Sequence, residues 1–205
     1  VLALLQKLDA LLFEFINSLS GRIPFFDHLF RFIALYSPVI FALYLAGLWF
    51  WGKGKEKELN RQAALRAVLA AALGLMLNQI IGGVFYRPRP YTVLPAHLLI
   101  PYTRDASFPS DHATGSFALA FGLKGRLRHL PAAILLAFAV LVAFARVYVG
   151  AHYPLDVLGG AFIGWASAEG VDLAFRRWPV LARWQSRAIE IYERIFERKV
   201  RKSAP

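Results

Sequence analysis

The chain has 205 residues, 58% hydrophobic and 18% charged, with a mean hydropathy of +0.47, a balance that excludes an ordinary soluble domain and points to one integral membrane domain. Its net charge of +11 could suit nucleic acid, but the lysines and arginines sit in segments flanking apolar runs, as the positive-inside bias requires, so the bilayer and no nucleic acid is the expected partner. Cysteine is absent, which excludes disulfides and thiolate metal sites.

Residues 1–25 read as an amphipathic N-terminal helix. Leu5, Leu8, Leu12, Ile16 and Leu19 recur at helical spacing, but Lys7, Asp9 and Glu14 interrupt them, so a helix lying at the membrane interface is expected in place of a span. A transmembrane core is expected over 26–175. Within it Leu29 to Trp51 forms the first crossing, with Pro38 as the site of a kink. A basic connection runs from Lys53 through Arg61 to Arg66, and Ala67 to Phe85 crosses back. The loop from Arg87 to Pro109 is rich in proline and arginine.

Ser110 to Leu123 is short, roughly 21 Å of helix against a hydrocarbon core of ~30 Å, so its outer end should be sunken. Lys124, Arg126 and Arg128 mark the opposite face. Leu130 to Val149 and Leu155 to Phe175 complete the crossings, and 176–205 is expected to be a basic cytoplasmic tail whose apolar stripe (Leu181, Trp184, Ala188, Ile191, Ile195) lies on the membrane. The fold class that follows is all-α: a polytopic membrane helix bundle of five to six helices with amphipathic N- and C-terminal helices.

The basic stretches 53–66, 124–128 and 176–202 then fall on one side, the cytoplasmic one. The polar clusters at 87–91, 107–112 and 146–156 meet on the other. Arg146, His152 and Asp156 lie between two apolar segments, where charge is costly unless the groups face one another or water. If Pro154 opens a helix, Asp156 sits one turn below His152 and can hold one ring nitrogen, leaving the other free to attack.

Arg146 offers a planar fork of donors to an oxyanion, and Arg89 would complete the cage. Ser110 is placed to cap the short helix, whose N-terminus favours an anion, and His112 stands where it can give a proton to a leaving oxygen. Arg87 has two readings, an anchor at lipid phosphate or a further phosphate contact. Two histidines flanking such a cage suit phosphoryl transfer. No paired carboxylates or His-Glu clusters at metal spacing accompany them, so the positive charge is expected from arginine, with no metal and no cofactor.

Arg89-Pro90, Pro109-Ser110-Asp111-His112 and Ala145-Arg146-x5-His152-x3-Asp156 resemble the three motifs of the type 2 phosphatidic acid phosphatase superfamily, Lys-x6-Arg-Pro, Pro-Ser-Gly-His and Ser-Arg-x5-His-x3-Asp. The resemblance covers roughly residues 78–160. Gly82, Asp111 and Ala145 depart from the motifs, standing where the family has lysine, glycine and serine. With Asn78 and the run Phe85-Tyr86-Arg87-Pro88-Arg89-Pro90, these departures resemble the bacterial undecaprenyl-diphosphate phosphatases of the bacitracin-resistance type.

The resemblance implies that His152 is phosphorylated, Asp156 orients it, His112 protonates the leaving group, and Arg89, Ser110 and Arg146 bind phosphate. Asp111 and Arg87 join them as candidate phosphate contacts. It also implies a six-helix core that includes the N-terminal segment, a polyprenyl diphosphate substrate recycled for wall synthesis, and a bacterial cytoplasmic membrane with the site facing outside. The alternatives are a phosphatidylglycerophosphate or phosphatidate phosphatase, or a lipid transporter.

Overall fold

The structure, a computed structural model, describes residues 2–124 and 132–197; Arg126, Arg128 and the end of the basic tail, 198–205, lie outside the described residues. Eight α-helices follow in order, α1 Leu2–Asn17, α2 Pro24–Phe50, α3 Lys55–Val84, α4 Pro90–Val93, α5 Asp111–Leu123, α6 Ala132–Tyr148, α7 Pro154–Arg177 and α8 Pro179–Tyr192, with a π-helical turn at Glu193–Glu197. Proline at the first turn of α2, α4, α7 and α8 presets the helical φ and gives up an N–H that has no intrahelical partner there. α2 continues through Pro38.

The short helix α5 lies at the centre, packed between α3 and α7 and closed over by α6. Small residues allow this: Ala113, Ala118 and Ala120 are fully buried, and a Cβ at Gly122 would lie 2.9 Å from Ala67 Cα, one at Gly160 2.7 Å from the Ser110 carbonyl oxygen, and one at Gly164 2.5 Å from the Thr114 carbonyl oxygen. Helices that must approach this closely cannot carry side chains at those points. α2 and α3 are long and apolar enough to cross a bilayer. Around them the lateral surface is apolar, with Phe32, Leu43, Met76, Ile80, Leu158 and Phe162 all exposed, the surface a membrane helix bundle requires.

Three sequence expectations shift. The basic connection at 53–66 is absorbed into α3, which starts at Lys55; Arg61 is fully buried, its Nε donating to the Trp49 carbonyl at 3.0 Å and its Nη1 to Glu193 at 2.7 Å. The N-terminal helix keeps its leucine stripe outside, as an interface helix requires, but its opposite face is buried. Asp9, Phe13 and Asn17, one turn apart, are buried while Leu4, Leu5, Leu8, Leu11, Leu12 and Phe15 are exposed, because polar side chains find partners only inward. α8 buries Gln185 against the Gln62 carbonyl (2.9 Å) together with Ile189, while Trp184, Ile191 and Ile195 of the expected apolar stripe stay exposed. The core therefore begins at α1.

Gly164→Ala forces the added methyl into α5 backbone, an overpacking that costs about 1–3 kcal/mol. Its melting midpoint in detergent is expected several degrees below wild type, whereas Gly83→Ala, which meets nothing within 4 Å, should match wild type. Equal midpoints for the two would contradict the close packing of α5 on α7.

Candidate active site

The turn between α6 and α7 carries the reactive imidazole. Gly150, at φ 83°, permits it: a side chain there would be strained, and its Cβ would lie 2.7 Å from the His97 carbonyl oxygen. Asn17 of α1 pins the same region by donating to the carbonyls of His97 (3.0 Å) and Tyr148 (2.8 Å). Pro154 then opens α7, and Asp156 in its first turn accepts the Tyr153 N–H at 2.9 Å.

His152 is 2% exposed. Its Nδ1 lies 2.8 Å from the Ser107 carbonyl oxygen, which can only accept, so Nδ1 carries the proton and the Nε2 lone pair is left facing Arg89 Nη1 at 3.2 Å. The spacing argument gave that role to Asp156. In the structure the Asp156 carboxylate stands 3.8 Å from Nδ1, beyond hydrogen-bond reach. Its oxygens are taken by others: Oδ2 accepts from Ser107 Oγ (2.5 Å) and the Tyr153 amide, and Oδ1 from Arg87 (2.6 Å). Asp156 thus acts on the ring as a nearby charge and by holding Ser107. Burial, with Arg146 and Arg89 nearby, lowers the His152 pKa from 6.5 to about 4 against the opposing pull of Asp156.

A cavity of about 150 Å³ opens beside Nε2, with Arg89, Asp105, Asp111, His112, Arg146 and His152 in its wall. These residues come from separated stretches of chain. Arg89 Nη2 pairs with Asp105 at 2.8 Å and Nη1 donates to the Ala151 carbonyl at 3.0 Å. Arg146 Nη1 donates to the Ala34 carbonyl at 3.2 Å, while its Nε is buried without a partner.

Ser110, expected to cap α5, makes no side-chain cap, and its buried Oγ is also without a partner. It lies between two cavity-lining residues, Pro109 and Asp111. Buried donors left unspent are costly, and these two stand beside the N-terminus of α5, where an anion is favoured. Among the described residues no group of three or more His, Cys, Asp or Glu side chains could hold a metal ion.

The structure thus brings Arg89, Asp111, His112, Arg146 and His152 to one cavity, with Ser110 beside it and Asp156 behind the imidazole. Asp111 accepts from Asn78 Nδ2 at 2.8 Å. Arg87 does not line the cavity; it bridges Asp156 and Asp9 (2.5 Å) and lies 4.0 Å over the Tyr153 ring. Neither reading of Arg87 from sequence anticipates that. Ser107, Asp105 and Asp9 received no role from sequence either. The one signal for Asp9 is a lone carboxylate in an apolar helix, which must find a partner.

A sequence model described as the PAP2 superfamily matches residues 63–178. The undecaprenyl-diphosphatase BcrC of Bacillus subtilis is 35% identical over 191 residues, covering 93% of this chain and 95% of that protein. The bacitracin transport permease protein BcrC of Bacillus licheniformis is 33% identical, covering 92% of this chain and 89% of that protein. The crystal structure of Aquifex aeolicus LpxE superposes with a TM-score of 0.64 at 30% identity, covering 78% of this chain and 92% of that one.

An attacking imidazole must be neutral, so activity that depends on His152 is lost as pH falls through its free-enzyme pKa. Because that pKa lies below 6.5, the acid limb of kcat/KM for a phosphorylated lipid is expected below pH 6.5. A limb centred at or above 6.5 would contradict the buried, cation-flanked setting.

Proposed function

The chain belongs to the PAP2 superfamily and is a membrane lipid phosphatase, and from that premise we propose that it hydrolyses undecaprenyl diphosphate to undecaprenyl phosphate and inorganic phosphate through a phosphohistidine intermediate. One observation carries the reading: His152 presents an unprotonated Nε2 to a cavity walled by Arg89, Arg146 and His112. The Nε2 lone pair attacks the terminal phosphorus as the bridging P–O bond breaks, and the electron pair leaves with the lipid phosphate. Arg89, Arg146, Ser110 and the N-terminus of α5 hold the phosphoryl oxygens. His112 supplies a proton to the leaving oxygen. Water then attacks phosphorus and gives a proton to the imidazole of His112, which restores it, while the N–P bond breaks, its electron pair returns to Nε2, and phosphate departs.

A lipid substrate suits the surroundings. A second, mostly apolar cavity of about 380 Å³ lies between α2, α3 and α5, lined by Phe41, Leu45, Leu75 and Leu119, and it shares Asp111 and His112 with the first. The identity to the B. subtilis undecaprenyl-diphosphatase over nearly the whole chain favours the diphosphate over phosphatidylglycerophosphate or phosphatidate. We assign the site to the outer face of a bacterial cytoplasmic membrane crossed several times. The lysine and arginine bias of the stretches at 53–66 and 176–202 supports that orientation.

A transport reading, which the name of the B. licheniformis relative suggests, expects polar groups near the bilayer midplane. Here they gather where helices begin and end: Arg146 in the last turn of α6, Asp111 and His112 in the first turn of α5, and Asp156 in that of α7.

His152→Ala is expected to abolish both turnover and any acid-labile phosphoprotein, and wild-type turnover should persist in chelator because arginine supplies the cage charge. Normal turnover by His152→Ala, or loss in chelator restored by one divalent ion, would overturn the mechanism.

Substrate class is read separately through the leaving group. A phosphate ester ionises near about 6 to 7, whereas an alkoxide has a conjugate acid near that of water, about 15 to 16, so the monophosphate needs the proton far more. His112→Ala should lower monophosphate hydrolysis by about 10²-fold or more and diphosphate hydrolysis by clearly less. Equal losses, or a wild-type preference for the monophosphate, would favour the phosphatidate-type reading.

A further inference from the structure

The bond network behind the imidazole does not end at Asp156. Arg87 Nη1 holds Asp156 at 2.6 Å, and its Nη2 holds Asp9 of α1 at 2.5 Å. Asp9 is 2% exposed, and its other oxygen accepts the Leu155 amide at 2.8 Å. That N–H belongs to the first turn of α7, where the helix itself offers no acceptor. One carboxylate therefore both braces the start of the helix that carries Asp156 and takes half of the guanidinium that grips it.

We propose that Asp9 is a positioning residue for phosphoryl transfer, acting through Arg87 on the charge that Asp156 presents to His152. The inference rests on His152 as the nucleophile. As Nε2 forms its bond to phosphorus and the bridging P–O bond gives its electron pair to the leaving lipid phosphate, the imidazole, still protonated at Nδ1, becomes positive. Asp9, Arg87 and Asp156 together carry one net negative charge, which stabilises that cation in a poorly screened site. Without Asp9 the remaining pair sums to zero. Arg87 would then anchor Asp156 and cancel it in the same contact.

The sequence distance explains why such a device is built from the N-terminal helix: Asp9 and Leu155 are 146 residues apart, and α1 reaches α7 because Phe13 packs on Tyr153, ring centroids 5.5 Å apart, and Asn17 clamps the loop at His97. Those two contacts hold the helix alongside the bonds of Asp9 to Arg87 and Leu155. Asp9 adds charge.

The test uses the full chain in detergent with a polyprenyl diphosphate as probe. Asp9→Asn, nearly isosteric, is expected to lower kcat and the rate of acid-labile phosphoenzyme formation on the order of 10-fold, with KM within about twofold of wild type because the phosphate cage is untouched. In an Arg87→Gln background the same substitution should cost under about twofold, since the guanidinium it balances is gone. Asn17→Ala, which removes the hydrogen bonds of α1 to the His97 and Tyr148 carbonyls and leaves the Asp9 charge in place, calibrates how kcat follows the melting midpoint when α1 is loosened without loss of charge.

The proposal falls if Asp9→Asn keeps wild-type kcat, if its loss is the same in both Arg87 backgrounds, or if its kcat follows the midpoint as Asn17→Ala does. Failure of the nucleophile assignment shows separately, as turnover by His152→Ala.

Discussion

A carboxylate with no solvent exposure, Asp156, is the constraint on which the rest of the site depends. A buried charge is tolerable only when its lone pairs are filled and an opposite charge is near. Asp156 meets that demand with partners from three stretches: the Tyr153 amide from its own helix start, Ser107 Oγ from the loop before α5, and Arg87 from the loop after α3. Satisfying one side chain therefore draws the chain's polar segments to a single place. Ser107, once fixed by its hydroxyl, presents its carbonyl to His152 Nδ1, and the imidazole is oriented as a by-product of burying the acid. The order matters for any substitution at Asp156, which loosens Ser107 and Arg87 together with the ring.

The cavity set was legible in the sequence for the same energetic reason. Arg89, His112, Arg146 and His152 stand in short polar runs between apolar ones, and such residues must converge or remain costly. α5 was legible through its length and the serine before it, although the serine does not cap. What was not legible has physical causes. The Ser107 carbonyl is a backbone acceptor and carries no residue signature. Asp9 looked like a defect in an amphipathic pattern, since periodicity finds the apolar stripe but cannot say whether it faces core or lipid. The start of α3 was set too late because Lys55 to Arg66 is polar, yet lysine, glutamate and arginine are good helix formers and Arg61 has a buried place to go.

Buried polar side chains recur at both ends of the chain. On α1 Asp9 and Asn17 are inside with Phe13, and Leu12 and Phe15 outside; on α8 Gln185 is inside with Ile189, and Trp184 outside. With apolar surroundings there is no hydrophobic gain in turning leucine inward, so hydrogen bonds and close packing decide helix orientation. The consequence for function is direct: the buried polar groups of α1, Asp9 and Asn17, bond the loops at Leu155 and His97, so the helix that looked peripheral is tied to the turn bearing His152.

The departures from the family motifs also become intelligible together. At Gly82, where the motif has lysine, an added Cβ would point toward Ala106 and the Phe108 carbonyl, 3.6 and 3.7 Å away, so the missing cation belongs beside the 105–108 loop. In that loop stands Asp105, 60% exposed at its side chain and paired with Arg89. A lysine at 82 would add a cation beside that pair; its absence leaves Arg89 and Asp105 closer to balance. The pair is half buried, Arg89 inside and Asp105 outside, so an incoming phosphate meets Arg89 Nη2 in competition with Asp105. On the diphosphate reading the second phosphate brings further negative charge, and Arg104, exposed next to Asp105 in the sequence, is a candidate to meet it.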